Sequence, residues 1–84
     1  KAVEAIIKDH LPWANLCFAR QAVCLNMAFN LGVSGFFQFK NMLRAIHKEC
    51  FKEAAIEMLD SKWADQVGDR ANELAKQMCV GLWQ

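Results

Sequence analysis

The sequence predicts an all-α fold, an orthogonal bundle of helices around a buried central helix. Twelve alanines, one proline and no threonine among 84 residues favour helices over sheets. Apolar residues recur at helical spacings along most of the chain, and one segment is apolar on nearly every side. The length fits a single domain over residues 1–84, and 55% hydrophobic content excludes a disordered chain.

The central helix is predicted from about Asn15 to Leu31. Four strongly polar residues interrupt its apolar sequence: Arg20, Gln21, Asn26 and Asn30. A helix that is apolar on all sides is expected at the centre of a domain, with the other helices packed around it. Gly32 is expected to end this helix in a left-handed conformation, and Gly32–Gly35 is expected to form a tight turn.

The other helices are predicted on either side of the central one. Residues 1–11 read as the end of a helix that Pro12 breaks, with Val3, Ile6 and Ile7 on one face. Residues 36–83 are predicted to form short surrounding helices. Their apolar repeats at helical spacing are Phe39, Met42, Leu43 and Ile46, then Phe51, Ala54, Ala55, Met58 and Leu59, then Ala71, Leu74, Ala75, Met78 and Cys79.

Charge and cysteine content argue against several classes of protein. Ten Lys and Arg balance nine Asp and Glu, so neither nucleic acid nor a membrane surface is an expected partner. No apolar run reaches the ~18 residues of a membrane span, and no signal peptide is visible. The four cysteines lack Cys-x-x-Cys spacing and are interpreted as small buried side chains in a reducing compartment, with disulfides as the alternative. His10 and His47 are expected to be satisfied or exposed, so no metal or cofactor is predicted.

The sequence contains no Gly-rich phosphate loop, His-Glu-x-x-His motif or Gly-x-Ser-x-Gly elbow. Two rows of charged residues at spacings of four stand out, one acidic and one basic: Glu49, Glu53 and Glu57, and Lys40, Arg44 and Lys48. The acidic row is interpreted as a solvated helix face rather than as the paired acids of glycoside hydrolysis. The basic row fits a solvated face or a contact with an anionic polymer.

Several blocks of sequence together carry a resemblance to a known family. They are Ala19–Gly32, Ser34-Gly35, Phe39–Arg44, Glu53–Ala55, Ser61–Trp63, Asp69–Asn72 and Gly81–Trp83. In order and spacing they closely resemble the C-terminal helical lobe of bacteriophage-type (T-even phage-like) lysozymes. The resemblance covers essentially the whole chain.

That family hydrolyses the bond between N-acetylmuramic acid and N-acetylglucosamine of peptidoglycan during bacterial lysis. Its catalytic Glu, the partner Asp and a nearby Thr belong to an N-terminal lobe across a cleft. This chain has no threonine and no strand-like segment, so the resemblance places the catalytic residues outside it and puts Lys1 inside the long inter-lobe helix. The expected parent protein is a muramidase, and the chain alone is expected to be inactive. The alternative is a non-catalytic module that binds the wall or another protein.

The resemblance also implies residues that line the substrate cleft. Phe29, Asn30 and Leu31 match the end of the family's core helix, which forms the cleft floor. The family commonly has Gln at the position of Asn30, and the shorter amide here reaches less far; the alternative is a bond to nearby backbone. Arg20, near the start of this helix, is expected to be structural.

Two cationic residues match positions that face the other lobe. Arg70 corresponds to the arginine that approaches the catalytic acid across the cleft, or it pairs with Asp69 or Glu73 beside it. Lys62 stands where relatives often have an arginine that bridges to the other lobe, and lysine lacks the bidentate geometry. Trp63 is expected to pack in the core rather than to stack on sugar.

The implied partners are peptidoglycan and the missing N-terminal lobe. In the family, the N-terminal helix packs back onto this lobe, near the first helix and Trp83. An isolated chain is therefore expected to expose apolar area and to self-associate. The protein is expected to be made in the cytoplasm of a bacterial host and to act on the periplasmic wall, although no export signal is visible in this segment.

Overall fold

The computed structural model describes residues 3–82, and this range contains six α-helices, one short 3₁₀-helix and no strand. The α-helices are α1 (Val3–His10), α2 (Phe18–Phe37), α3 (Lys40–His47), α4 (Phe51–Leu59), α5 (Lys62–Val67) and α6 (Asp69–Val80). The 3₁₀-helix is Trp13–Asn15. The predicted all-α class is confirmed. Trp83, for which a contact with the other lobe was predicted, lies outside the described residues.

The helices pack around one core. α4 packs against α3, α5 and α6, while α2 packs against α1 and α6. The predicted apolar repeats supply the fully buried Met42, Ile46, Met58, Leu74 and Met78, which confirms their helical periodicity. Within the described range, no single helix has the length and hydropathy needed to cross a membrane; α2 and α3 satisfy that test only jointly, and they are bent by 100°.

The central helix begins three residues later than predicted. Trp13–Asn15 form the 3₁₀-helix, and Cys17 is extended before Phe18 starts α2. The side-chain amide of Gln21 donates to the carbonyl oxygens of Trp13 and Leu16, both at 3.0 Å. These bonds satisfy carbonyl groups of the connection, so the chain turns there instead of continuing as helix.

Gly32 divides α2 into two helical segments because its own backbone is not helical, and the first segment ends at this glycine, as predicted. Its φ of 76° is positive, as predicted, but its ψ of 162° belongs to an extended region open essentially to glycine alone. The helix resumes at Val33, so the prediction of a tight turn over Gly32–Gly35 is wrong. The reason is burial: Phe36 in the second segment is completely buried, and its packing stabilises another helical turn.

α2 is central to the core, but its burial is confined to one face. Ala19, Val23, Cys24, Met27 and Ala28 are buried, as expected for positions on one side of a helix. On another side, Phe18, Ala22, Leu25 and Phe29 follow one another at spacings of four, three and four. We call these four residues the α2 stripe. Phe18 is 78% exposed and Phe29 is 69% exposed, so the two ends of the stripe face outward, while Leu25 between them packs partly against the core.

Polar side chains join α2 to α6. The Arg20 guanidinium donates from Nε to the Met78 carbonyl at 2.7 Å and from Nη2 to the Cys79 carbonyl at 2.9 Å. Its Cζ lies 3.7 Å from the centre of the Phe51 ring. The buried Gln77 amide donates to the Ala19 carbonyl at 2.7 Å. The predicted structural role of Arg20 is thus confirmed, because it binds carbonyl groups that the end of a helix leaves unpaired.

The four cysteines are free thiols in four separate environments. Cys24 is buried in α2, and this burial raises the pKa of its thiol to about 12. Cys50 and Cys79 are half-buried. Cys17 is exposed, and its thiol donates to the Gly81 carbonyl at 3.4 Å. The predicted burial is therefore confirmed for Cys24 and wrong for Cys17, which precedes the helix and lies outside the core.

Candidate functional site

A groove between α3 and the α4–α5 corner is a concave surface of the described residues. Its cavity of about 460 Å³ is lined by Leu31, Gly35, Gln38, Phe39, Lys40, Asn41, Met42, Glu57, Asp60, Ser61, Lys62, Trp63 and Gln66. Apolar surface, side-chain amides and charges of both signs meet there. Such a combination of an apolar concavity with converging polar groups is typical of a ligand-binding site.

Trp63 forms part of the apolar wall of this groove. It is only 4% exposed, and its ring meets the Phe39 ring edge-on with 6.2 Å between centroids. The prediction that Trp63 packs in the core is confirmed. Its buried indole N–H finds no hydrogen-bond partner among the described residues. An unsatisfied buried donor costs about 1–3 kcal/mol, and here packing of the large ring offsets that cost.

Ser61 fixes the position of Lys62 beside the groove. The Ser61 hydroxyl accepts a hydrogen bond from the Ala64 amide at 3.3 Å and donates to the Met58 carbonyl at 2.7 Å. Serine is a favoured N-cap because this bond satisfies an amide that the first helical turn leaves unpaired. α5 therefore starts at Lys62, which is exposed at the edge of the groove.

A second cavity, of about 250 Å³, adjoins the first one between α3 and α4. Asn41 and Glu57 contribute to the lining of both cavities, and we call the two together the α3–α4 groove. In the second cavity, Arg44 and Lys48 of α3 share the lining with Glu53 and Glu57 of α4. The two charged rows predicted as separate faces thus meet at one groove.

Glu49 stands apart from the acidic row. It has a positive φ of 59° and follows the end of α3, where the Cys50 and Glu49 amides bond the Ala45 and Ile46 carbonyls at 2.8 and 3.0 Å. This is the Schellman pattern that ends helices. Only Glu53 and Glu57 of that row therefore reach the groove.

The structure brings together two of the five residues expected to face the cleft. Leu31 and Lys62 both line the larger cavity. Phe29 and Asn30 lie just before the Gly32 break and are exposed outside that cavity, and Asn30 forms no side-chain hydrogen bond within the described part of the chain. Contact of all three α2 residues with substrate stays a prediction.

Arg70 lies in the first turn of α6, away from the groove. Its Nη1 donates to the Glu73 carboxylate at 3.0 Å, and both side chains are about half exposed. Pairing with a neighbouring acid is one of the two predicted possibilities. Such an exposed ion pair contributes ~0–1 kcal/mol and leaves Arg70 free to exchange partners, so its predicted role toward a catalytic acid stays open.

Sequence reasoning missed the three side-chain amides of the groove, Gln38, Asn41 and Gln66. Asn41 lies inside the Phe39–Arg44 block that carried the family resemblance, and it precedes the buried Met42 on the apolar face of α3. This position next to a core residue could have been used to predict that Asn41 belongs to the site. Gln38 carried no such signal, because its place depends on where α2 ends after the Gly32 break.

Each of the two histidine rings forms a hydrogen bond with a backbone carbonyl group. His47 Nε2 donates to the His10 carbonyl at 3.0 Å and so joins α3 to the end of α1. His10 Nδ1 bonds the Ile6 carbonyl at 3.0 Å. Their satisfied state is as predicted. Across the described residues, no three His, Cys, Asp or Glu side chains come close enough to hold a metal ion.

The helical fold and its groove agree with a relationship to lysozymes of the bacteriophage type. The chain is 36% identical over 69 residues to "Probable T4-type lysozyme 1" of Dictyostelium discoideum, which covers 82% of this chain and 41% of that protein. It is 37% identical over 60 residues to "Probable T4-type lysozyme 2" of the same organism, covering 71% of this chain and 35% of that protein. The chain is related to the T4-type lysozymes, and the match spans about two fifths of the length of these curated relatives. No family model and no solved structure gives a significant match.

Proposed function

We propose that this chain is the C-terminal lobe of a lysozyme, a glycoside hydrolase that cleaves the bond between N-acetylmuramic acid and N-acetylglucosamine in peptidoglycan. One observation carries the proposal: the relationship to T4-type lysozymes extends over 82% of this chain but over only 41% of the relative. The remainder of such an enzyme would supply the catalytic carboxylates. Under this proposal the chain holds the polymer and positions it.

The chemistry divides between the two lobes accordingly. In a two-lobed glycosidase, one carboxylic acid protonates the leaving oxygen and a second carboxylate stabilises the reacting centre or activates water. The α3–α4 groove offers this lobe's part: Gln38 and Asn41 can bond carbonyl and hydroxyl groups, and Phe39 and Trp63 supply apolar surface. Lys62 at the edge offers a cation to a carboxylate of the substrate or of the other lobe.

The α2 stripe gives the partner lobe a surface to cover. Phe18 and Phe29 are largely exposed, and a row of apolar residues along one helix face is a usual packing surface for another helix. We assign this stripe to contact with the N-terminal lobe. The predicted origin in a phage and the predicted action on a periplasmic wall remain parts of the proposal that the Dictyostelium relatives do not address.

Clearing of a bacterial wall suspension tests the proposal. The purified chain alone is expected to clear none. A longer protein that adds the region encoded upstream is expected to clear it, and replacement of that region's Glu by Gln is expected to abolish clearing. Lysis by the 84-residue chain alone, with its mass confirmed, would place a complete catalytic site within it and overturn the proposal.

A wall-binding module without catalysis is the second candidate. It is favoured by the lobe's own continuous hydrophobic core. The upstream coding sequence separates the two candidates. A helix with Glu, followed after about eight residues by Asp and soon after by Thr, supports the enzyme. Its absence, combined with co-sedimentation of the chain with purified peptidoglycan, supports the binding module.

A further inference from the structure

The end of α1 is attached to two other helices of the bundle. α1 packs against α2, and the His10 ring meets the Phe37 ring at the end of α2 with 5.0 Å between centroids. In addition, His47 Nε2 donates to the His10 carbonyl oxygen at 3.0 Å. His47 is the last residue of α3, so this hydrogen bond joins the ends of two helices that are far apart in the sequence.

The His10 carbonyl depends on a donor from outside α1. A helix leaves its last carbonyl oxygens without intrahelical partners, and the following backbone often satisfies them. Here Pro12 carries no N–H, and the Trp13 N–H donates to the Leu11 carbonyl at 2.7 Å. The His47 ring supplies a donor from α3 instead. Because the acceptor belongs to the main chain, only a change at position 47 removes this bond without breaking the backbone.

The core of the domain holds the donor in place. Ile46, the neighbour of His47 in α3, is fully buried. Two backbone hydrogen bonds of 2.8 and 3.0 Å close the end of α3 directly after His47. The backbone that carries the imidazole is therefore fixed on both sides. The bond to the His10 carbonyl restrains the end of α1 relative to that fixed point.

We propose that His47 is a positioning residue, which fixes the direction of α1 and thereby the placement of the N-terminal lobe across the cleft. The inference rests on the proposed function, under which the catalytic lobe is joined to the start of α1. A helix attached to α2 alone can still change its direction about that contact, and a bond at its end to a second helix removes this freedom. His47 lines neither cavity of the α3–α4 groove, so it acts through α1 rather than on substrate.

The expected consequence for the enzyme is a change in KM rather than in kcat. Without the bond, α1 adopts several directions, and a smaller fraction of molecules has its two lobes placed to close on the polymer. The apparent affinity for substrate falls in proportion to that fraction. The bound complex, in which both lobes are already in place, reacts at the same rate.

Amide hydrogen exchange of the 84-residue chain tests the attachment itself. His47→Ala is expected to speed exchange in the last turn of α1 at least threefold, because this turn then opens more often, while exchange in α4 and α6 stays the same. His47→Gln is expected to restore slow exchange, since its side-chain amide also donates a hydrogen bond. Lys76→Ala is the control, because Lys76 is an exposed α6 cation that lines neither cavity, and it is expected to leave α1 unchanged.

Wall clearing by the longer protein that includes the upstream region tests the positioning role. His47→Ala is expected to raise KM for the wall suspension about threefold with kcat unchanged, and His47→Gln is expected to restore KM. Exchange in α1 that His47→Ala does not change, an unchanged KM, or no rescue by His47→Gln overturns this inference and leaves the proposed function standing. A longer wild-type protein that clears no wall overturns the proposed function and this inference together.

Discussion

Arg20 uses nearly its whole side chain to hold the end of α6 against α2. Two carbonyl oxygens accept from its guanidinium, and the Phe51 ring packs on the guanidinium face. The Arg20→Ala substitution removes the guanidinium group and leaves those carbonyls unpaired. It is expected to lower the free energy of unfolding by about 2–3 kcal/mol. Urea denaturation measures the change.

Two further variants sharpen that test. Arg20→Lys keeps the charge but loses the planar fork, so its loss is expected to be intermediate. Arg44→Ala removes an exposed arginine and is expected to change stability by less than about 0.5 kcal/mol. A loss below about 1 kcal/mol for Arg20→Ala would contradict the structural role assigned here.

Cys24 is chemically distinct from the other thiols because it is buried. Burial raises its pKa from 9.0 to about 12, so the folded state favours the neutral thiol. This contribution to stability is complete below pH 9 and is lost as pH rises toward 12, because the unfolded thiol ionises first. The free energy of unfolding of the wild-type chain is expected to fall more steeply over this interval than that of Cys24→Ala.

Thiol labelling at pH 8 provides an independent measurement. Cys17 is expected to react fastest and Cys24 to react only when urea unfolds the chain. Cys17→Ser is the control that should remove the fast phase alone. Four thiols that react at one rate in the native chain would show that Cys24 is not protected.

At the scale of the helix, Gly32 determines the course of α2. Its φ of 76° and ψ of 162° are strained for any L-residue with a side chain, yet no atom beyond the two adjacent residues lies within 4 Å of the place where a Cβ would stand. Gly32→Ala is therefore expected to cost about 1–3 kcal/mol through backbone strain alone. Thermal unfolding measures this as a lower Tm.

D-alanine at position 32 is the matched control, and the 84-residue chain is accessible to chemical synthesis. A D-residue adopts positive φ readily, so the backbone strain is removed and Tm is expected to stay near that of the wild type. Equal destabilisation by L- and D-alanine would indicate that crowding, rather than backbone conformation, explains the loss.

The helices α3, α4 and α6 were predictable because their apolar repeats depend on local spacing alone. The start of α2 was not, since the 3₁₀-helix before it depends on a hydrogen bond from Gln21, one turn into α2. The continuation of α2 past Gly32 depends on the burial of Phe36 by distant parts of the chain. Both features are tertiary, and a pattern of neighbouring residues does not contain them.

The candidate site likewise combines features that the sequence could predict with features that it could not. Lys62 could be placed from the Ser61–Trp63 block, because a serine N-cap has a local signature. The sequence could not predict that Arg44 and Glu53 line the same cavity, because this depends on how α3 packs against α4. Periodicity assigns each charge to a helix, whereas the packing of two helices decides which charges share a groove.

At the scale of the whole molecule, the α2 stripe is the surface through which we expect the isolated chain to associate. Phe18 and Phe29 expose 78% and 69% of their surface on one helix face, and burial of apolar area favours pairing with any complementary surface. Sedimentation at increasing concentration is therefore expected to show reversible dimers of the isolated chain. Phe29→Ser is expected to weaken this dimer at least tenfold, and Phe18→Ser to weaken it similarly.

Leu59→Ser serves as the control, because Leu59 is a 43% exposed apolar residue on α4 rather than on the stripe. It is expected to leave the dimer unchanged, since exposure by itself is not the cause. Addition of the N-terminal lobe is expected to dissociate the dimers, because both compete for the same stripe. A chain that sediments as a monomer at ~100 μM would show that four apolar residues on one helix face are too small a surface to hold two copies together, and the contact with the other lobe would then need further residues.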